Sequence, residues 1–122
     1  MDDSRRFPVR FDDDAFAEDL YHATPAGREI ASRERARLER EGISVDELRR
    51  CAAEGPDGTR LGGCVKAYLP RPRGRWGIVF TGDVGADGQP VLIALAFGVR
   101  HPSRAWQPSV YQVAHSRLND LS

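Results

Sequence analysis

The sequence predicts an α+β domain: helices first, then a small antiparallel sheet, then a short C-terminal helix. Three observations carry this prediction. Residues 12–54 show helix-cap signals and apolar residues at helical spacing. After Gly55-Pro56-Asp57-Gly58 the pattern changes to short apolar runs separated by turns. From Val110 to Leu118 helical spacing returns. With 122 residues, 40% of them hydrophobic and 30% charged, the chain has the balance of one globular domain, 1–122, and leaves little room for two.

Residues 1–10 read as a flexible lead-in and residues 11–55 as the helical part. Asp12-Asp13-Asp14 precede a short first helix with Phe16 and Leu20 on one face. Carboxylates favour that end because they meet the positive pole of the helix dipole. Thr24-Pro25 opens the second helix, threonine as cap and proline in the first turn, where its missing N–H costs nothing. This helix is expected over 26–41, with a thin apolar face of Ala26, Ile30, Ala31 and Leu38 and a dense Arg/Glu surface, and Gly42 stops it. Ser44-Val45-Asp46-Glu47 has the form of a capping box, so a third helix is expected to about Glu54.

Residues 60–122 hold the sheet and the last helix. Strands are expected at 61–69, 76–81 and 91–99, antiparallel, with the second helix packed on them. Asp87-Gly88 lies in the hairpin between the second and third strands. The continuous run Val91 to Val99 reads as a strand buried on both faces. Ser109 caps the C-terminal helix.

No apolar run reaches the roughly 18 residues that a membrane helix needs, and the N-terminus lacks the apolar core of a secretory signal. A cytoplasmic protein is the resulting expectation. Cys51 and Cys64 have neither metal-ligand nor redox spacing, and His22, His101 and His115 are dispersed, so neither a metal nor a cofactor is expected.

The net charge of zero hides an asymmetry. Residues 1–59 carry ten arginines against fifteen carboxylates, and residues 60–122 carry seven arginines and one lysine against three aspartates. Two readings stand side by side: the halves pair internally, or the basic half meets an anionic partner. Lys66, Arg71, Arg73 and Arg75 fall on one strand and the turn after it; Arg100, His101 and Arg104 follow the third strand. In a meander the two groups share one end of the sheet. Tyr68, Trp76 and Trp106 are interleaved with them, a combination that suits RNA, because guanidinium binds phosphate and aromatic faces stack on bases.

These residues carry a resemblance. Leu61-Gly-Gly-Cys-Val-Lys66, Gly74-Arg-Trp-Gly-Ile-Val-Phe80, Leu95-Ala-Phe-Gly-Val-Arg100 and Val110-Tyr-Gln-Val-Ala-His-Ser-Arg-Leu118 together resemble the RelE/ParE family of toxin–antitoxin toxins, over about residues 58–119. The resemblance implies a toxin that cuts messenger RNA on the ribosome without a metal, with a cognate antitoxin as protein partner. The alternative is a non-catalytic member of the fold that inhibits a protein target such as gyrase or assembles with a partner protein. Lys66 matches the family's strand-one lysine, a candidate proton acceptor. Arg100 matches the arginine after strand three, a phosphate clamp. Tyr111 matches the C-terminal tyrosine, which stacks on a base or assists proton transfer. The family's strand-two arginine falls on Gly77, where an arginine would have favoured catalysis; Arg75, two residues away on the same face, is the substitute this chain offers. A second basic position on strand one falls on Tyr68, and a longer loop separates Arg100 from Tyr111. The candidate catalytic set is therefore Lys66, Arg75, Arg100 and Tyr111. The candidate RNA-binding set is Arg71, Arg73, His101 and Arg104.

Overall fold

The computed structural model describes residues 5–69 and 74–121. Its elements, in chain order, are β1 (Arg6–Phe7), β2 (Val9–Phe11), α1 (Asp13–Tyr21), α2 (Pro25–Glu41), β3 (Ile43–Ser44), a single 3-10 turn (Val45–Glu47), β4 (Arg49–Arg50), β5 (Val65–Leu69), β6 (Trp76–Val84), β7 (Pro90–Val99) and α3 (Val110–Asp120). Helices and strands are both present, and the chain is α+β. None of its helices is long and apolar enough to cross a membrane, among the described residues.

The antiparallel meander is present as β5, β6 and β7, within a five-stranded sheet ordered β2-β7-β6-β5-β4. One face of this sheet buries Ala67, Leu69, Ile78, Phe80 and Phe97 against Phe16 of α1 and Ala31 and Leu38 of α2. The other buries Val79, Leu95 and Ala96 under Val110 and Ala114 of α3. Period-two alternation explains this split for most positions. At Leu95 it does not: Val79 and Phe80 pair with Ala96 and Ala94, so Leu95 is the extra residue of a bulge and shares the α3 face with Ala96.

Two expectations for the first half are corrected. Residues 6–7 and 9–10, read as part of a flexible lead-in, and Phe11, read as the start of the helical part, are strand: β1 pairs antiparallel with β3, and β2 runs parallel to β7, Val9 opposite Leu92. Val9 is buried in the main core, and that pairing with the most apolar strand fixes a segment with no local strand signal. The third helix expected to Glu54 is the second correction. The capping box does form, Ser44 and Glu47 satisfying each other's backbone, but it opens one 3-10 turn. Leu48 is extended, and Arg49-Arg50 pair with Lys66 and Val65 at the edge of β5. A helix there offers a sparse apolar face to the core, and helix nucleation is unfavourable without one. Strand pairing wins.

The remaining caps form as the residue types dictate. The Asp12 side chain accepts from Ala15 N at 2.9 Å, and the Thr24 hydroxyl accepts from Gly27 N at 3.1 Å. Gly42 ends α2 at φ +71°, and a Cβ there would lie 2.6 Å from the Phe7 carbonyl oxygen.

Helix α3, which carries part of the candidate site, is held at both ends. Ser109 and Gln112 form a capping box at its start, and Val110 is buried against Gly98. At its far end Arg117 donates to both carboxylate oxygens of Asp19 in α1, at 2.9 and 2.8 Å, and to the Leu95 carbonyl at 2.8 Å. Asp19, 9% exposed, also accepts from Phe97 N at 2.9 Å. The β7 edge beyond β2 is thus closed by side chains. Burial pushes the Asp19 carboxyl above its ordinary value, against the opposing pull of Arg117 and the Phe97 N–H. Between the two ends, His115 Nδ1 accepts from Arg60 N at 2.9 Å and ties the 51–64 loop to the helix.

Candidate nucleic-acid interface

Alternation along β5 sends Ala67 and Leu69 into the main core and places Lys66 and Tyr68 on the α3 face of the sheet. Register then sets their neighbours. Tyr68 is opposite Gly77, and Gly77 is opposite Gly98, so a row without side chains crosses β6 and β7 beside the tyrosine ring. Arg100 follows Gly98 by two residues and lies on the same face; its N–H donates to the Arg75 carbonyl at 3.0 Å and extends the β6–β7 ladder by one residue. The aliphatic stem of Arg100 lies over Gly77, where a Cβ would be 3.2 Å from Arg100 Cγ.

This placement fixes the guanidinium. Arg100 Cζ lies 3.7 Å from the centroid of the Tyr68 ring. Its Nε donates to the Tyr111 hydroxyl at 3.0 Å and its Nη1 to the Gly74 carbonyl at 3.0 Å. Gly74 must lack a side chain, since a Cβ there would sit 2.2 Å from Leu69 N. Lys66 Nζ lies 4.9 Å from the Tyr111 ring centroid and 5.5 Å from that of Tyr68, and Arg49 Cζ is 5.3 Å from the Tyr68 centroid. Two tyrosines and three cations therefore form one cluster at the open side of α3.

Its cations lack, among the described residues, the carboxylate partners that Arg33, Arg35 and Arg37 of α2 have. On α2, Arg33, Arg35 and Arg37 pair with Glu29, with Asp13 and Glu39, and with Glu34 and Glu47. Arg117 joins the two halves through Asp19 and Glu18. Among the described residues, no carboxylate lies within ion-pair distance of Arg49, Lys66, Arg75, Arg100 or Arg104. Like charges gathered without a counter-charge repel, and an anion placed among them relieves that repulsion.

Of the residues singled out in the sequence, Lys66, Arg100 and Tyr111 come together. Arg75 stands apart: it is exposed, with its guanidinium 5.8 Å from the Trp76 ring, and only its backbone carbonyl touches Arg100. His101 and Arg104 are exposed on the 100–109 loop, Arg104 beside Trp106. Arg71 and Arg73 lie outside the described residues. Two members lay outside the candidate sets, although Tyr68 was one of the aromatics interleaved with the cations. Tyr68, which stood as a departure from a basic family position, is the ring about which the cations gather. Arg49 fell inside the expected third helix, and its place at the cluster comes from the β4–β5 pairing alone.

Nearby, Cys51 and Cys64 are free thiols at the start of β5, and Cys51 N donates to the Cys64 carbonyl at 3.1 Å. Burial pushes the Cys51 thiol up to about 11, with Lys66 opposing. Such a thiol is a small apolar residue at neutral pH, not a nucleophile.

Comparison with family models, with curated proteins and with solved structures finds no match to this chain.

Proposed function

We propose that this chain is a RelE/ParE-like toxin that binds ribosome-associated messenger RNA through the Lys66–Tyr68–Arg100–Tyr111 cluster and cleaves it without a metal. The observation that carries the reading is the convergence of Arg49, Lys66 and Arg100 on two tyrosines with no carboxylate to neutralise them. Supporting it are the order of elements from α1 to α3 and the quoted motifs that meet at the cluster.

In this reading the outer guanidinium N–H groups of Arg100, those not donated to Tyr111 and Gly74, hold a non-bridging phosphate oxygen. The adjacent 2′-hydroxyl attacks the phosphorus, and charge grows on the oxygens that Arg100 binds. Lys66, once it has given up its own proton, is the nitrogen that takes the 2′-hydroxyl proton. The Tyr111 oxygen accepts from Arg100, so its own hydrogen is free to go to the leaving 5′ oxygen. The antitoxin that the family resemblance implies would cover this basic face.

One observation favours a second reading. Arg100 already has three partners, and Arg75 lies off the cluster. A non-catalytic member that binds a protein target, such as gyrase, needs no further cation.

Growth arrest on expression, followed by cleavage mapping on translating ribosomes, separates the two. Cleavage by the wild type, lost in Arg100→Ala and Tyr111→Phe while both stay folded, supports the nuclease. Growth arrest without cleavage moves the assignment to the binding member.

A further inference from the structure

We infer that Trp106 is a base-stacking residue, and that the 100–109 loop holds one unpaired nucleobase of the RNA whose phosphate sits at Arg100. The inference rests on the reading of the cluster as an RNA site and adds a subsite to it.

Trp106 is the anomaly that calls for it. It is 75% exposed, in a chain whose other tryptophan is 9% exposed. Indole is the largest side chain, and leaving it in water forfeits the free energy that burial supplies. Arg104 lies beside it, Cζ 5.9 Å from the ring centroid, without a carboxylate partner among the described residues. An aromatic face with an unpaired cation next to it matches a nucleotide: the ring takes the base and the cation takes a phosphate.

The loop's placement supports the same occupant. It leaves β7 at Arg100 and enters α3 at Ser109, and its two ends are joined by the 3.0 Å hydrogen bond from Arg100 to Tyr111. Trp106 follows Arg100 by six residues and precedes Tyr111 by five. At a span of at most about 3.6 Å per residue, both positions lie within reach of the same short single strand. The loop is closed at its far end by the Gln107 N to Arg104 carbonyl bond of 3.1 Å and by the Ser109–Gln112 capping box. The ring is therefore carried by a short turn anchored on a helix, not by a long free segment. Any base has a π-face, so stacking here sets the position of the strand along the cluster and selects for unpaired bases, with little preference for one letter.

The test uses the full chain and a synthetic single-stranded oligoribonucleotide of about ten residues. Its 2′ positions are methylated to remove the attacking hydroxyl, and one base is 2-aminopurine, whose fluorescence is quenched by stacking. Expected results are quenching on binding by the wild type, and loss of that quenching in Trp106→Ala with affinity weaker by roughly 5- to 150-fold, the range that one stacked base contributes. Trp106→Phe keeps most of both. Trp106→Ala leaves the salt dependence of binding unchanged, whereas Arg100→Ala makes it shallower. A duplex of the same length is indifferent to Trp106. If Trp106→Ala binds and quenches like the wild type while Arg100→Ala weakens binding, the stacking inference is wrong and the RNA site stands. If the wild type binds the oligonucleotide at no salt concentration, the RNA reading falls and takes the stacking role with it.

Discussion

Gly77 and Arg100 share one space: the backbone of the first is the surface on which the stem of the second lies, and a Cβ on Gly77 would come within 3.2 Å of Arg100 Cγ and 3.4 Å of the Ala67 carbonyl oxygen. In the sequence, Gly77 stood as a gap where the family places an arginine. In the structure the gap is occupied. Arg100 reaches Tyr68, Tyr111 and Gly74 because no side chain at 77 holds it away.

The first prediction follows from that contact. Gly77→Arg displaces the Arg100 stem from a closely packed position, at about 1–3 kcal/mol of stability, the usual cost of overpacking. It also breaks the Arg100–Tyr111 hydrogen bond. The variant should unfold at lower urea concentration than the wild type and show lower RNA affinity, despite its added charge. Tighter binding by Gly77→Arg would mean that Arg100 can reposition and that the family's strand-two site is still open.

Arg117 and Asp19 give a second prediction, with a pH signature. Removing Arg117 leaves a buried carboxylate with one backbone N–H as partner, so Arg117→Leu should destabilise the fold by about 3–5 kcal/mol at neutral pH. The sign of the pH effect comes from the direction of the shift. Asp19 has a raised value in the folded protein, so the folded state holds its proton more tightly than the unfolded chain. Stability from this group is then present below the ordinary carboxylate value and falls as pH rises through the raised one. Without Arg117 the carboxyl rises further and that window widens upward. Urea titrations at several pH values should show the difference between variant and wild type shrinking on acidification. A difference constant with pH would place the loss in packing of the arginine stem.

How far the sequence itself revealed these features depends on the range of the interactions that fix them. Thr24 and Ser109 were readable as caps because a cap is satisfied within three residues. The β5–β6–β7 meander was readable because its turns and apolar runs are contiguous. Strand β2 was not: three residues, Val9-Arg10-Phe11, become strand only by pairing with β7, some eighty positions later. The same holds for the site. Lys66, Arg100 and Tyr111 were found through short motifs, but the contact of Lys66 and Arg100 with Tyr68 depends on the Tyr68–Gly77–Gly98 register, and that of Arg49 on an edge pairing that local signals contradicted. The 3-10 turn at Val45–Glu47 shows why: its capping box forms, yet the segment after it follows the sheet.

Cys51 supplies a third prediction. With its thiol raised by burial from an ordinary 9.0 to about 11, the thiolate fraction near neutral pH is about 100-fold below that of an unperturbed cysteine. A disulfide reagent at pH 7.5 should therefore modify the folded protein slowly at Cys51, and the urea-unfolded chain rapidly. The raised value also implies that stability from this group is intact below the ordinary thiol value and is lost as pH climbs from there towards 11. Fast modification of Cys51 in the folded state would show that the 51–64 loop opens.

The last prediction sets Arg75 against Arg100. The sequence offered Arg75 as the replacement for the family's strand-two cation. Its side chain is exposed over Trp76, while the three contacts that define the cluster belong to Arg100. A cation assists phosphate cleavage when it touches the oxygens on which charge develops, and loss of such a contact costs roughly 2.7–4 kcal/mol, or 100- to 1000-fold in rate. Arg100→Ala should therefore lose about that much cleavage on ribosome-bound message. Arg75→Ala, a surface change within about 0.5 kcal/mol, should stay within about twofold of the wild type. Salt titration of RNA binding gives the parallel readout: the log–log slope should drop by about 0.7 for Arg100→Ala, one phosphate contact on a single strand, and stay unchanged for Arg75→Ala. A folded Arg75→Ala protein with a hundredfold loss of cleavage would put Arg75 on the phosphate and move the reacting centre towards the start of β6.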